Sequence, residues 1–530
     1  MKIGLITDNG TVAEWQAQAL ETIQDSNEFL IYNCTTLPSH RRSPTHAFYY
    51  LLNLISLRSK LTARAALPSS LCVSARLDFE AECVGQWQKL PPSVLQRIKE
   101  DGPTLLIKFG MGLLAVPPTD QLSCPILSYH HGDPREFRGR PAGFYELMLG
   151  REVVGQTIQI LSNSLDAGRI VAFGETRALK HSYRSTMKLA YRSSPLLLRK
   201  AIQNLIAGNA LPIQPTGKAY RLPTNLTVLG FFFKSLARML RHMAYGAFFE
   251  KSWAVAEAPS SGGATMLSTF PDSRSWRALA RSPDFRFLAD PFYHPDGDGI
   301  LVEALRRSTG RGEIILISAA GQQSVSDSLG HYSYPSTITV DGKHFLLPEI
   351  SEWSPPILFG LRGPRLERLG ELKIPGRPRL IDPTLHAHGE MIFLFANRAS
   401  EGDSILRLWF SDALLGEFAE HPSSPIHISP AGGRMAGAIV MSNGHRFRLG
   451  QDSRRQYGDG MILFRIDELS RSNYRETAVD QLRFASTRGP HTLNFRGDSM
   501  VFDHYRNRFS LLAGARRLRS RFADSRKKLE

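Results

Sequence analysis

The sequence predicts a multidomain chain, α/β in its first part and all-β in its second, joined by a basic helical segment. Three observations predict it. Strand-like apolar runs alternate with helical ones over the first 190 residues. A Gly/Ser-rich stretch, Pro259-Ser-Ser-Gly-Gly-Ala264, interrupts the chain near its middle. Beyond it, a hairpin-like unit recurs five times. At 530 residues the chain exceeds what one hydrophobic core organises. With 42% hydrophobic and 22% charged residues, it is neither disordered throughout nor collagen-like nor a coiled coil.

In the first part, Lys2–Thr7, Phe29–Tyr32, Thr104–Phe109, Ile126–Tyr129 and Gly155–Leu161 read as strands. Val12–Thr22 and Pro141–Leu149 read as helices. This alternation predicts βαβ units and a Rossmann-like parallel sheet covered on both faces. The first turn, Asp8-Asn9-Gly10, lacks the GxGxxG spacing of a dinucleotide site. Residues 191–264 read as a basic helical linker with an apolar face through Leu229, Phe233, Leu236 and Leu240. Lys234, Arg238, Arg241 and His242 break that apolar run, which argues against a membrane span and leaves an interfacial amphipathic helix open.

The recurring unit is a glycine, two residues and an apolar strand, at Gly297, Gly342, Gly389, Gly444 and Gly497. A second strand precedes each glycine, so each unit is a hairpin with its turn there. The spacings of 45, 47, 55 and 53 residues suit four-stranded blades and predict a five-bladed β-propeller. The expected domains are 1–190, 191–264, 265–510 and a basic tail, 511–530.

Lysine and arginine outnumber aspartate and glutamate 65 to 49, a formal charge of +16 that favours acidic partners. Cys34, Cys72, Cys83 and Cys124 have no CxxC spacing, so neither a disulfide framework nor a zinc site is expected, and no metal is assigned. The apolar run at Met1–Asp8 is too short for a signal peptide. The expected location is the cytoplasm, with peripheral contact at the inner membrane face through the basic helices.

The segment that carries chemistry is Leu127-Ser-Tyr-His-His-Gly-Asp-Pro-Arg-Glu-Phe-Arg-Gly139, followed by Ser164-Leu-Asp-Ala-Gly-Arg-Ile170. A histidine at a strand end and an aspartate in a neighbouring loop converge at the carboxyl edge of a parallel sheet, where such sheets bind ligands. A carboxylate beside an imidazole orients it and raises its basicity, which suits proton transfer.

These motifs resemble the N10-formyltetrahydrofolate-dependent formyltransferases, the group that includes methionyl-tRNA, glycinamide ribonucleotide and sugar N-formyltransferases. The family signature is Asn-x-His-Pro-Ser/Gly, then Arg-Gly, then Leu-Asp-x-Gly-x-Ile, and the resemblance covers roughly residues 1–180. It implies N10-formyltetrahydrofolate as cofactor. It also implies catalytic roles for His130, Asp166 and Ser128, and cofactor contacts at Gly110, Gly132, Arg138, Gly139, Leu165 and Gly168. Two positions depart from the family pattern: Ser128 replaces the asparagine and His131 the proline. Losing one oxyanion donor costs on the order of a hundredfold in rate. His131, another donor or a shifted substrate would compensate, or the domain is a slow or altered catalyst.

In the repeat region, Asp290-Pro291 and Asp382-Pro383 open two of the units. This resembles the furanosidase-type propellers of glycoside hydrolases, in which two aspartates and a glutamate surround a sugar. Hydrolysis needs an acid opposite a basic carboxylate, yet Arg434-Met-Ala-Gly-Ala-Ile439 lacks the expected glutamate. The region also resembles the propeller beside plant glucosamine-inositolphosphorylceramide glycosyltransferases, through Tyr334-Pro, Pro-Glu349, Asp382-Pro-Thr, Gln451-Asp and His491-Thr-Leu-Asn. The resemblance implies substrate contacts at Asp290, Glu349, Asp382 and Asp452. His386 and His388 have no accompanying cluster and read as surface residues, whereas Trp353, Trp409 and Tyr457 read as core or as sugar-stacking rings.

The resulting expectation is formyl transfer to a primary amine of an amino sugar in a nucleotide- or lipid-linked glycan, with the propeller holding the glycan. The expected partners are the folate and that acceptor, not nucleic acid. The alternative is a glycan-active or glycan-binding propeller protein with a degenerate formyltransferase-like domain.

Overall fold

Lys2–Asp8 (β1) carries the apolar run Ile3-Gly4-Leu5-Ile6 and is buried except at its ends, as a strand covered on both faces must be. It runs parallel to Glu28–Cys34 (β2), which in turn pairs in parallel with Cys72–Phe79 (β3). On its other side β1 pairs in parallel with Leu105–Lys108 (β4), and β4 with Ile126–His130 (β5). Val153–Ile160 (β6) and Arg169–Arg177 (β7) then run antiparallel. The sheet is therefore mixed, not wholly parallel as expected. Residues 161–168 between β6 and β7 are too few for a crossover helix, so β7 must return antiparallel. Among the described residues the α-helices that follow are Glu14–Glu21 (α1), Ala47–Ser56 (α2), Pro92–Asp101 (α3), Phe144–Leu149 (α4), Tyr183–Ser193 (α5), Pro195–Ile206 (α6) and Asn225–Phe248 (α7).

The computed structural model describes all residues except Ser26, 37–41, 261–266, 268–269, 298, 328–329 and 519–530. Most of the expected Gly/Ser linker and of the basic tail lies outside the described residues. The chain divides into two units, Met1–Leu240 and Arg241–Glu530. The linker expected over 191–264 is helical only as far as Phe248. Phe249–Pro259 (β8) is instead a strand, paired along its whole length with residues 499–509.

From Phe249 to Phe509 the second unit is built of β-strands, with helical residues at 241–248 and 513–518 flanking them. Its five hairpins are those expected from the glycine repeat: Phe285–Tyr293 (β9) with Ile300–Arg306, Tyr332–Val340 (β10) with Lys343–Ile350, Leu380–His388 (β11) with Met391–Arg398, Val440–Ser442 with His445–Asp452, to which Ala431–Met435 (β12) also pairs, and Leu493–Arg496 (β13) with Ser499–Phe509 (β14). Asp341-Gly342 and Asn443-Gly444 have positive φ at both residues, the geometry a tight two-residue hairpin needs. Each hairpin belongs to a separate antiparallel sheet. The first four sheets complete themselves with the strands that follow, but the fifth takes β8 from ahead of the repeat.

Consecutive sheets are joined in order. The rings of Phe292 and Tyr334 meet edge to face at 5.0 Å, and the Asp382 N–H donates to Glu349. Gln451 donates to Asp382, and the Leu493 N–H to the Ala436 carbonyl. Asn494 of the fifth sheet donates to the Pro291 carbonyl of the first at 2.8 Å.

Candidate functional sites

In the first unit, His130 closes β5 and Asp166 sits in the turn between β6 and β7 with φ of 46°. The structure brings them together: His130 Nδ1 lies 3.3 Å from Asp166 Oδ2. The same oxygen accepts the Gly139 N–H at 2.8 Å, and Gln159 Nε2 donates to Oδ1 at 3.3 Å. Gln159 Oε1 in turn accepts the Gly168 N–H at 2.8 Å, fixing the turn. Gly168 is required there, because a Cβ would lie 1.9 Å from the Ile160 carbonyl oxygen. At Gly132 a Cβ would lie 2.5 Å from His130 Nε2.

The other ring nitrogen of His130 is also engaged. Nε2 lies 3.0 Å from the Phe137 carbonyl, which only accepts, so Nε2 carries a proton directed at the backbone. Ser128 is buried between Lys108 of β4 and Gln159 of β6. Sequence reading missed Lys108: burial lowers its amine from the ordinary lysine value, against the opposing pull of Asp8 and Asp166. His131 cannot compensate for Ser128. Its Nε2 is bonded to Ser194 Oγ at 2.8 Å, its ring packs edge-on against Trp15 and Tyr191, and burial lowers it to about 3.

Of the expected cofactor contacts, Gly132, Gly139 and Gly168 adjoin the His130–Asp166 pair. Arg138 Nε is tied to the Gly217 carbonyl at 2.7 Å, and Leu165 lies exposed on the turn. Gly110 lies against Asp8, whose Oδ1 accepts the Met111 N–H. The cavity bordered by His130, Arg138, Gly139 and Tyr220 measures about 10 Å³, room for about one water. Both ring nitrogens of His130 are thus engaged, Nδ1 by Asp166 and Nε2 by the Phe137 carbonyl.

In the second unit, β9, β10 and β11 each slip register with their partner strand at the same place, between Ala289 and Phe292, Ser333 and Ser336, and Ile381 and Thr384. Each slip holds a non-glycine residue at positive φ followed by proline: Asp290 (49°), Tyr334 (45°) and Asp382 (46°). Proline cannot donate to the ladder, and a bulge re-aims the side chain before it. Two of these side chains are carboxylates, both buried.

Asp290 Oδ1 accepts from Thr492 Oγ1 at 2.7 Å and faces His491 Nε2 at 3.3 Å. His491 Nδ1 lies 2.5 Å from Asp503, whose two oxygens also receive the N–H groups of Asp290, His491 and Thr492. Asp382 is gripped by both prongs of Arg434 and accepts from Gln451 at 2.8 Å. Glu349 Oε2 receives the Asp382 N–H at 3.2 Å. Arg434 stacks over Tyr457 at 5.0 Å, and Trp253 lies 4.3 Å from the His491 ring.

Burial pushes the Asp290 carboxyl well above the usual carboxylate range, against the pull of His491. Burial and then the charge of Asp382 push Glu349 up as well. For His491 burial acts downward, but Asp503 and Asp290 outweigh it and hold the ring above its ordinary value. Asp290, His491 and Asp503 place their ligand atoms within 4.8 Å of one another, a spacing that would admit a metal ion. The donors named above already serve these carboxylates.

Asp452 does not join the cluster expected of it. Arg454 and Arg483 hold it at 2.8 and 2.6 Å, and although burial acts upward, these arginines keep its carboxyl below the usual range. Adjacent strand residues face opposite sides: Gln451 reaches Asp382, so Asp452 points away. His388 Nδ1 accepts from Arg446, and burial lowers His386 to about 4. Trp409 is core, whereas Tyr457 lies in the site. Arg434 and Asp503 were missed as site residues, and nothing local in the sequence marks them.

Residues 278–499 match the family model described as the N-terminal part of glucosamine inositolphosphorylceramide transferase 1. The protein of that name from Oryza sativa subsp. japonica is 29% identical over 209 residues, covering 37% of this chain. The chain thus spans 28% of that relative's length. Glycinamide ribonucleotide transformylase 1 from Symbiobacterium toebii aligns at 14% identity over 39% of this chain and 88% of its own, with a TM-score of 0.28. A GH43 β-xylosidase/α-arabinofuranosidase from a compost microbial metagenome aligns at 13% identity over 44% of this chain and 84% of its own, with a TM-score of 0.31. The strand pairings above, not these low-scoring likenesses, establish the architecture of each unit.

Proposed function

We propose that this chain is a glycan-recognising protein of glycolipid metabolism. In this reading the five sheets of the second unit form a β-propeller that holds a glycolipid sugar headgroup at the Asp290–Glu349–Asp382 cluster. One observation carries it: the family match spans 278–499 and contains Asp290, Glu349, Asp382, Arg434, Gln451 and His491. The relatives' name points to a headgroup with glucosamine and inositol phosphate. Carboxylates, Arg434 and the rings of Tyr457 and Trp253 are the groups that recognise hydroxyls, phosphate and sugar faces.

Hydrolysis is disfavoured, because it needs two carboxyl groups at liberty to act as acid and as nucleophile or base. Asp382 is instead held by Arg434 and Gln451. The transferase activity in the relatives' name is read here as acceptor recognition, with no bond-making step assigned to the second unit. Calorimetry of the full chain with a glucosaminyl inositol phosphate headgroup tests the reading. Binding should weaken at least about tenfold, about 1.4 kcal/mol, in Asp290→Asn and Glu349→Gln variants that still unfold cooperatively. No binding by the folded chain, or full binding by both variants, would overturn it.

A second reading, formyl transfer from N10-formyltetrahydrofolate to the amine of such a sugar, is favoured by the His130–Asp166 pair alone. In it Nε2 would exchange the Phe137 carbonyl for the substrate. Titration with a stable folate analogue decides it: micromolar binding supports this reading, and none removes it.

A further inference from the structure

Helices α2 and α7 lie side by side in the first unit. Asn225 accepts the Phe48 N–H at 3.0 Å and donates to the Pro44 carbonyl at 2.9 Å, while His46 bonds the Pro223 carbonyl. Their inner faces are satisfied: Tyr49, Val228 and Phe231 pack with Phe144, whose ring stacks on Phe231 at 4.5 Å. The outer faces are not. Leu51 and Ile55 of α2 and Leu226, Phe232, Phe233 and Leu240 of α7 are exposed, between 53% and 79% of their surface. Apolar side chains this size rarely stand together in water without a partner.

The charge around this face has one sign. Neither helix contains an aspartate or glutamate, whereas α7 carries Lys234 and Arg238. At the C-terminal end of α2 lies a cavity of about 300 Å³, lined by Ser56, Ser59, Lys60, Arg184 and Lys188 among others, with no carboxylate. Among the described residues, none of those three cations is in an ion pair. No helix of the described residues is long and apolar enough to cross a membrane.

We propose that the outer face of α2 and α7, with the Lys60–Arg184–Lys188 cavity, is a docking surface for an anionic lipid bilayer. Apolar side chains enter the headgroup boundary, and the cations take lipid phosphates beside it, the pattern of interfacial helices. The charge argues against a second copy of this chain as occupant. A two-fold contact would set the same acid-free, cationic helices against each other. The proposal stands independently of the glycan reading, since it uses none of that site's residues.

Flotation of the full chain with phosphatidylcholine vesicles, with and without phosphatidylglycerol, tests it. The chain should partition onto the anionic vesicles, and salt should weaken that binding. Arg184→Gln with Lys188→Gln should lower partitioning about 25-fold, at about fivefold per cation. Phe232→Asp with Phe233→Asp should lower it more than about tenfold. All four positions are exposed, so the variants should retain the parent's circular dichroism. Absence of vesicle binding, equal binding to neutral and anionic vesicles, or variants that bind as the parent does would overturn the proposal. So would a dimer abolished by the Phe232/Phe233 pair in a chain that ignores vesicles.

Discussion

Arg434→Met isolates what the Asp382–Arg434 pair does. Asp382 is 1% exposed, and Arg434 supplies two of its side-chain donors; Gln451 supplies the other. Methionine keeps most of the apolar stem but leaves a buried carboxylate with one neutral donor. Breaking a buried ion pair from one side costs about 3–5 kcal/mol. The Arg434 side chain keeps 16% of its surface, so some water reaches the gap and the expected loss lies near about 3 kcal/mol. Removing both charges in Asp382→Leu with Arg434→Met eliminates the orphaned carboxylate and should recover most of that loss. Urea unfolding of the full chain, read by tryptophan fluorescence and circular dichroism, completes the double-mutant cycle. If Arg434→Met costs under about 1 kcal/mol, or the double variant is no better than the single one, the pair does not hold a desolvated charge and the reasoning fails.

Two further perturbations probe the first unit. Glu146 is buried with Oε1 unpartnered, and burial pushes its carboxyl from 4.5 up to about 8. The native state therefore keeps a proton that the unfolded chain releases within that window, so stability should fall as pH rises through it. Glu146→Gln should flatten that slope and stabilise the chain at alkaline pH by up to about 5 kcal/mol; parallel stability–pH curves for parent and variant would contradict this. Gly168→Ala forces a Cβ against the Ile160 carbonyl and should cost at least about 1–3 kcal/mol. Gly230→Ala, with open space around the added carbon in α7, is the control and should be neutral or stabilising in thermal unfolding.

The hairpins were legible because their information is local. A turn such as Asn443-Gly444 needs positive φ at both central residues, and the residues themselves announce it. The strand β8 was not legible. Phe249–Pro259 becomes a strand only because residues 499–509 pair with it from the far end of the repeat. The same holds within the sites. Arg434 finds Asp382 across 52 residues, and Asp503 finds Asp290 across 213. Asp452 lies on a site strand but on its other face, and alternation sends it to the arginines. In the first unit His130 and Asp166 met as their motifs imply, while the engagement of Nε2 by Phe137 depends on a backbone path that no motif encodes.

Strained backbone connects the two units' candidate carboxylates. Asp166, Asp290 and Asp382 all hold positive φ, each at a cost of about 1–3 kcal/mol, and such strain persists only where the surroundings over-determine it. What over-determines them differs. Asp166 is fixed by Gly139, Gln159 and His130, and Asp382 by Arg434 and Gln451, so both oxygens of each are engaged. Asp290 is bonded through Oδ1 alone among the described contacts, and its backbone N–H is clamped to Asp503. Burial has also moved its carboxyl into a range where a small change in surroundings alters its protonation. Asp290 and Asp382 therefore share a motif and a backbone conformation but not a role. Asp382 holds the third and fourth sheets together; in the proposed reading Asp290 is the carboxylate that answers the ligand, so headgroup affinity should depend on Asp290 more than on Asp382, and folding stability the reverse.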